Sequence, residues 1–587
     1  MKVDEKLSLL RKEMVRNNID TYVVPTCDFH GSEVIGEHFK TREFITGFSG
    51  SAGTVVVDMD GAYLWTDGRY FLQAQSQLKG TEVLLMKSGE KGVPTIKEFL
   101  KTHSKNIGFD GRMMPSEEAE EYEALGLNIF PDIDLVGDIW NDRPEISSEK
   151  IWILEEQYAG KNTAEKISLI REQMERENAD VLLLTALDEV AWTLNLRGND
   201  VKCSPVFMSF MLITKKEVRL YVNHAALDQQ VTAYLEKNHV VIKEYHDIYD
   251  DVKKIENKVM WVDKSSANFN IIKSISGSNQ IMDKFSPALL QKAIKNKIEI
   301  TNEKKAHILD GVAMTRFLYW LKKNVGKQYL DELLLGEKLE EFRTMAKSYI
   351  EPSFDPIVGY KDHGAIVHYS ATEETNYQIT DENIVLIDSG GHYLEGTTDI
   401  TRTISLGDVT DKMKKMYTSV LKGHLNLSAA VFKKGCSGVS LDYIARKPLW
   451  DMGMDYNHGT GHGVGYLLNV HEAPNGIRYR VLENPEQNPV LQPGMITSNE
   501  PGVYLEGEFG IRIENLILCS EKESSEYGDF LCFENLTLVP YDLELIDWSL
   551  LNEDEKILLT KYHQTVYETL SPYLESEVKD WLKKFIT

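Results

Sequence analysis

The chain has 587 residues, 42% of them hydrophobic and 27% charged, with 65 Lys plus Arg against 91 Asp plus Glu and a net charge of −26. This composition excludes a disordered, collagen-like or coiled-coil chain, and the length leaves room for about three or four domains. The acidic balance argues against sequence-independent binding to nucleic acid or to an anionic membrane, so neither partner is expected.

The first residues, Met1-Lys2-Val3-Asp4-Glu5-Lys6, carry charge and lack the apolar core of a signal peptide. No apolar run reaches the ~18 residues of a membrane span, and a cytoplasmic location is expected. Cys27, Cys203, Cys436, Cys519 and Cys532 are widely spaced with no C-x-x-C. That pattern predicts reduced, mostly buried thiols rather than a disulfide framework or a zinc ribbon.

Residues 5–24 read EKLSLLRKEMVRNNIDTYVV and 165–184 read EKISLIREQMERENADVLLL, with nine of twenty positions identical at an offset of 160. Leu7, Leu10 and Met14 fall at helical spacing, as do Ile167, Ile170 and Met174, and each helix runs into an apolar strand. The repeat predicts two related α/β domains in tandem, over 1–160 and 161–300. Within the first, a glycine turn and two strands lead to Trp65-Thr66-Asp67-Gly68-Arg69-Tyr70. A long helix is expected over 303–321, opening a third domain at 301–587, and the chain returns to helix over 548–573.

Histidines, glycines and carboxylates gather between 350 and 520. In IVLIDSGGHYLEGTTDITRTI, residues 384–404, a strand ends at Asp388 and a β-branched run holds Asp399. A hairpin centred on Tyr393-Leu394 would place the two acids opposite one another on one face. They would repel, and a divalent cation would remove that penalty. A second hairpin, ITSNEPGVYLEGEFGIRIENLIL at 496–518, carries Glu500 before its turn and Glu514 in the returning strand, and repeats Tyr-Leu-Glu-Gly. Between the two lies His458-Gly459-Thr460-Gly461-His462-Gly463, too glycine-rich for a helix. With period two, His458, Thr460 and His462 share a face, and the glycines permit close approach to another backbone. His471 follows. Four carboxylates and an imidazole suit two adjacent divalent metals, manganese before a thiolate-type zinc site. Such a pair can bridge a hydroxide and hold it as a nucleophile at neutral pH. On spacing alone, His368 in Ala365-Ile366-Val367-His368 reads equally as a core histidine. G-x-S-x-G, H-E-x-x-H and Walker A patterns are absent from the sequence.

These residues resemble the pita-bread metallopeptidase family, which includes methionine aminopeptidase, prolidase, creatinase and aminopeptidase P. Its order of Asp, Asp, His, Glu, Glu is matched by Asp388, Asp399, His462, Glu500 and Glu514. Within the family, WTDGRYF at 65–71, IDSGGHYLEGTTDITRT, HGTGHGVGYLLNVHE, EPGVY and GIRIEN most resemble the three-domain aminopeptidase P group. The resemblance implies two creatinase-like α/β domains, a pita-bread catalytic domain and a C-terminal helical extension. It implies a metal-dependent aminopeptidase that hydrolyses the N-terminal Xaa-Pro bond of peptides. Two metals per subunit are expected, most suitably Mn2+, with Zn2+ or Co2+ as alternatives. Asp388 would hold one metal, His462 and Glu500 the other, and Asp399 and Glu514 would bridge. Glu500 and His368 would handle protons; His458 and His471 would line the substrate site. Arg69 would reach the bound peptide, and a homodimer is expected. The alternatives are a prolidase restricted to dipeptides and a non-catalytic, peptide-binding member of the fold.

Overall fold

The computed structural model describes residues 1–482 and 484–586. They form two units, one of residues 1–156 with 161–288, the other of residues 157–160 with 289–587.

The first unit is built twice from one pattern. Helix α1 (Val3–Arg16) buries Leu7, Leu10 and Met14, and α2 (Thr163–Arg176) buries Ile167, Ile170 and Met174. Each feeds a mixed six-stranded sheet. The first contains β1 (Thr21–Pro25), β2 (Thr54–Asp58), β3 (Ala62–Thr66), β4 (Val83–Lys87), β5 (Asn106–Gly108) and β6 (Asn128–Phe130), in the order β4-β3-β2-β1-β5-β6. The second contains β7 (Val181–Leu184), β8 (Ser209–Thr214), β9 (Val218–Val222), β10 (Val240–Lys243), β11 (Val259–Val262) and β12 (Gln280–Asp283), in the order β10-β9-β8-β7-β11-β12. The two orders are the same topology.

The repeat's polar identities acquire reasons here. Asn18 and Asn178 both turn the chain out of the helix at φ of 57° and 56°, a left-handed conformation that asparagine tolerates. Asp20 Oδ2 accepts from Asn106 N–H at 2.9 Å, and Asp180 Oδ2 accepts from Val259 N–H at 3.1 Å, so each aspartate pins the parallel neighbour β5 or β11. Arg11 Nε donates to the Asp58 carbonyl at 2.8 Å and Arg171 Nε to the Thr214 carbonyl at 2.9 Å, tying each helix to the end of β2 or β8.

The second unit opens with α3 (Lys297–Asn324), longer than the sequence spacing marks because Asn296 and Glu299 cap one another's backbone amides. After α4 (Glu332–Arg343) come β13 (Ile357–Tyr360) and the first hairpin: β14 (Ile384–Ser389), β15 (Gly391–Tyr393), β16 (Gly396–Thr397) and β17 (Ile400–Ser405). Helices α5 (Asp411–Ser428) and α6 (Val439–Trp450) lead to β18 (Gly461–Gly463) and β19 (Glu472–Ile477). The second hairpin follows in β20 (Ile496–Asn499), β21 (Gly502–Leu505), β22 (Phe509–Arg512) and β23 (Asn515–Ser525). The C-terminal helices α7 (Glu553–Leu570) and α8 (Ser576–Leu582) pack Leu559, Val566, Leu570 and Leu582 into the same core as Tyr417, Leu421, Ile511 and Ile513. That shared core fixes the second hairpin against the helical layer. The five cysteines are free thiols, and among the described residues no helix is long and apolar enough to cross a membrane.

Candidate active site

The first hairpin departs from its expected register. Asp388 lies opposite Thr401, Ser389 opposite Ile400, and Tyr393 opposite Gly396, so the turn centres on Leu394-Glu395 and not on Tyr393-Leu394. Gly396 sets the turn. Its φ is +153°, and the buried Glu303 carboxylate leaves no room there for a Cβ. Asp388 and Asp399 are therefore not opposed. Asp399 lies two residues from Thr401, at a break between β16 and β17. The diagonal relation keeps both acids on one face. The second hairpin opposes its two acids directly. Asn499 pairs with Asn515 and Gly502 with Arg512, which places Glu500 opposite Glu514 across the gap between the two ladders. Glu514 N–H donates to the Thr401 carbonyl at 3.1 Å and the Thr401 hydroxyl to Glu514 Oε2 at 2.7 Å, so the two hairpins bring all four acids together.

His462 sits on β18, where Gly461 lies against the Ser498 carbonyl and Gly463 against that of Glu472, both too close for any Cβ. That is the close backbone approach the glycines permit. His462 Nε2 is 3.5 Å from Asp399 Oδ2 and 3.5 Å from Glu500 Oε1. His458 Nδ1 is 3.9 Å from Glu500 Oε2, and the exposed His471 ring meets the His462 ring edge-on at 4.2 Å between centroids. Thr460 does not share their role. Its hydroxyl is buried against Asp442 at 2.6 Å and the Tyr456 hydroxyl at 2.6 Å. His368 is half-buried in the segment between β13 and β14. Arg69 belongs to the first unit, after β3. Its Nε and Nη2 grip Asp67 at 2.8 Å each, and its guanidinium lies 5.3 Å from the Tyr70 ring centroid.

Sequence reasoning missed Arg512, Thr401, Tyr504 and Ser498. Arg512 Nη2 donates to Asp388 Oδ2 at 2.6 Å, Nε to the Thr401 hydroxyl at 3.2 Å and Nη1 to the Tyr504 hydroxyl at 2.8 Å. Tyr504 in turn lies 2.8 Å from His458 Nε2, and the Ser498 hydroxyl donates to Glu500 Oε1 at 3.1 Å. The available signal was period two: Arg512 precedes Glu514 by two residues and so shares its face.

The electrostatics fit a cation. Burial raises the Glu514 pKa well above the carboxylate range, and the Asp399, Glu500 and Asp388 charges raise it further. Burial also lifts Asp388 to about 6; Arg512 opposes that shift and Asp399 adds to it. Burial works to lower the His462 pKa, yet the bond to Asp399 and the Glu500 charge carry it up to about 9. Positive charge is favoured at that spot. Ligand atoms of Asp399, His462 and Glu514 all lie within 4.8 Å of one another. Asp388 Oδ1 is buried with no hydrogen-bond partner among the described residues, an oxygen available for coordination. The donor set, carboxylates with one imidazole, suits hard-to-borderline divalent ions.

Fold and site are those of a pita-bread metallopeptidase carrying tandem creatinase-like domains. Residues 302–521 match the model of metallopeptidase family M24, and 529–586 match the C-terminal region of that family. Residues 6–136 and 142–299 each match a creatinase/prolidase N-terminal domain. The chain is 40% identical to a probable Xaa-Pro aminopeptidase P of Neurospora crassa, over 98% of this chain and 88% of that one. It is 38% identical to Xaa-Pro aminopeptidase 1 of Dictyostelium discoideum, over 100% and 96%. The chain belongs to metallopeptidase family M24, in its Xaa-Pro aminopeptidase branch. The X-prolyl aminopeptidase of Caenorhabditis elegans, described as a cytosolic enzyme with a di-nuclear active site, superposes with a TM-score of 0.94 at 32% identity, covering 100% of both chains. An Xaa-Pro dipeptidase from Bacillus anthracis superposes at 0.52 with 25% identity, over 65% of this chain and 99% of its own.

Proposed function

We propose that this metallopeptidase removes the N-terminal residue from peptides whose second residue is proline, using two divalent metal ions held by Asp388, Asp399, His462, Glu500 and Glu514. The convergence of Asp399, His462 and Glu514 ligand atoms within 4.8 Å carries the reading. Whole-length similarity to named Xaa-Pro aminopeptidases supports the substrate class, whereas the dipeptidase relative lacks a counterpart to a third of the chain. When bound, the metals supply Lewis acidity that polarises the scissile carbonyl and makes an attacking water nucleophilic at neutral pH. Manganese is the metal we favour for an oxygen-rich donor set.

The chain's own residues supply positioning and proton transfer. Glu500, held by Ser498 and facing His458 and His462, takes the proton from the attacking water. The departing proline nitrogen carries no hydrogen and must acquire one, so a nearby acid is required. His368 and Glu500 serve that transfer. Burial first, then Arg512, holds His458 down to about 3, so it is a neutral imidazole. Its Nδ1–H donates to the Gly459 carbonyl at 2.7 Å and its Nε2 accepts from Tyr504 at 2.8 Å. With His471 it lines the substrate cleft. Arg69 reads the peptide beyond the proline.

Purified protein is expected to release the first residue from Xaa-Pro-Yaa and longer peptides, to lose activity on chelation and to recover it best with Mn2+. Cleavage of dipeptides alone makes it a prolidase. Inactivity of metal-reconstituted protein on every peptide makes it a binding protein, and full activity after exhaustive demetallation overturns the mechanism. A cytoplasmic homodimer is the accompanying proposal. It is supported by the cytosolic nematode relative and by the exposed aromatic cluster of Tyr443, Trp450 and Tyr479.

A further inference from the structure

The buried carboxylate of Glu332, the first residue of α4, lies outside the constellation described above. Four donors from one segment converge on it. Oε1 accepts from Tyr360 N–H at 2.8 Å and from His363 Nδ1 at 2.9 Å. Oε2 accepts from the Tyr369 hydroxyl at 2.9 Å and Tyr377 N–H at 3.0 Å. A carboxylate offers about four acceptor sites, so Glu332 is saturated. The His363 ring is clamped between Tyr369 and Tyr377, with centroids 4.3 Å and 3.6 Å away. All these donors lie on residues 360–377, the segment that carries His368, and one of them is its immediate neighbour Tyr369.

The other side of the segment is anchored to the catalytic hairpin. Gly364 meets Gly510 of β22 backbone to backbone, with no space for a Cβ on Gly510, and Arg512 lies two residues further along that strand. The segment is therefore held between Glu332 and the strand whose Arg512 side chain donates to Asp388. Beyond Tyr360, the last residue of β13, its regular structure is a short 3-10 turn over Lys361–Ala365, so the Glu332 carboxylate ties together a stretch that no helix or sheet spans.

We propose that Glu332 is a positioning residue for His368. It acts through the 360–377 segment and touches neither metal nor substrate. The inference rests on the proton-transfer role assigned to His368. Glu332→Gln keeps the side chain's shape but turns an NH2 group toward groups that are themselves donors. A reacting group displaced by about 1 Å can lose ~10²-fold in rate. The expected result is a kcat lower by about 10–100-fold, with KM within about twofold and metal content and Tm close to the parent. Tyr369→Phe, which removes one donor and keeps the ring, is expected to lower kcat by about 3–10-fold and covers the case in which Glu332→Gln does not fold. A double-mutant cycle separates positioning from general loosening. In a His368→Ala background, Glu332→Gln or Tyr369→Phe should change kcat less than about twofold. Full, additive losses in that background overturn the proposal. A His368→Ala protein with parental kcat overturns instead the role of His368 on which it rests.

Discussion

At Glu514 burial and three neighbouring carboxylates all favour the protonated acid, and a divalent cation is the group that reverses this preference. Glu514→Gln keeps the size, and its amide can still meet Thr401, but it carries no charge. It is expected to abolish turnover and to weaken metal binding by more than the ~10–100-fold typical of losing an outer-shell partner, as measured by metal analysis after dialysis. Full metal content with normal turnover would remove Glu514 from the site. The four acids and the imidazole could be read in the sequence because their chemistry is costly without a cation, and such groups stand out beside short apolar strands. Arg512 was less legible. Period two sets it on the face of Glu514, but an arginine in an alternating strand has the same local pattern whether it faces solvent or, as here, is buried against Asp388, Thr401 and Tyr504. The Asp388–Asp399 register was misread for a related reason. Symmetry of the acids suggested a centre, whereas the φ of Gly396 and its contact with Glu303 determine the turn.

Among the elements, the tandem repeat was legible because it recurs in residues that pack or cap, such as Met14 and Met174 or Asn18 and Asn178. The docking of α7 was not, since it depends on buried polar contacts far apart in sequence. Tyr541 N–H donates to His563 Nε2 at 3.0 Å, which requires a neutral His563 imidazole, and the Tyr541 hydroxyl meets His424 Nε2 at 2.9 Å. Burial, reinforced by the Arg402 charge, holds both pKa values down to about 3. In the unfolded chain both would titrate near 6.5, so below that pH the unfolded state binds more protons and stability falls. The contribution is complete above about pH 6.5 and is lost progressively toward pH 3. At a limiting slope of about 1.4 kcal/mol per pH unit for each imidazole, the pair loses roughly 3 kcal/mol between pH 6.5 and 5. His563→Gln, which does not titrate, should lose about half as much over that interval in urea titrations at each pH. Parallel pH dependences for the two proteins would show that His563 does not carry the linkage. Comparing the two proteins also separates this effect from any acid release of metal, which both share.

For the whole molecule, a net charge of −26 repels a peptide's C-terminal carboxylate at long range, so recognition beyond the proline requires a local cation. Arg69 is the cation we propose for that role. The sequence alone equally allowed a surface arginine paired with Asp67, and that pair is present in the structure. It does not exhaust the side chain. Asp67 accepts from the Arg69 backbone at 3.0 Å as well as from Nε and Nη2, which orients the guanidinium rather than burying it, and the side chain remains 31% exposed. A guanidinium fixed in this way loses less entropy when a carbonyl or carboxylate docks on it than a freely rotating lysine would. Losing one charge-assisted hydrogen bond costs about 1.5–3 kcal/mol, roughly ten- to a hundredfold in kcat/KM. Arg69→Ala is therefore expected to raise KM by that order for tripeptides and longer substrates, with kcat and metal content preserved. Arg69→Lys, which keeps the charge but not the fork, should recover only part of the loss. The decisive comparison is across peptide length. An equal effect on dipeptides and long peptides would mean that Arg69 acts before the proline. No effect at any length would mean that its pairing with Asp67 is its whole role.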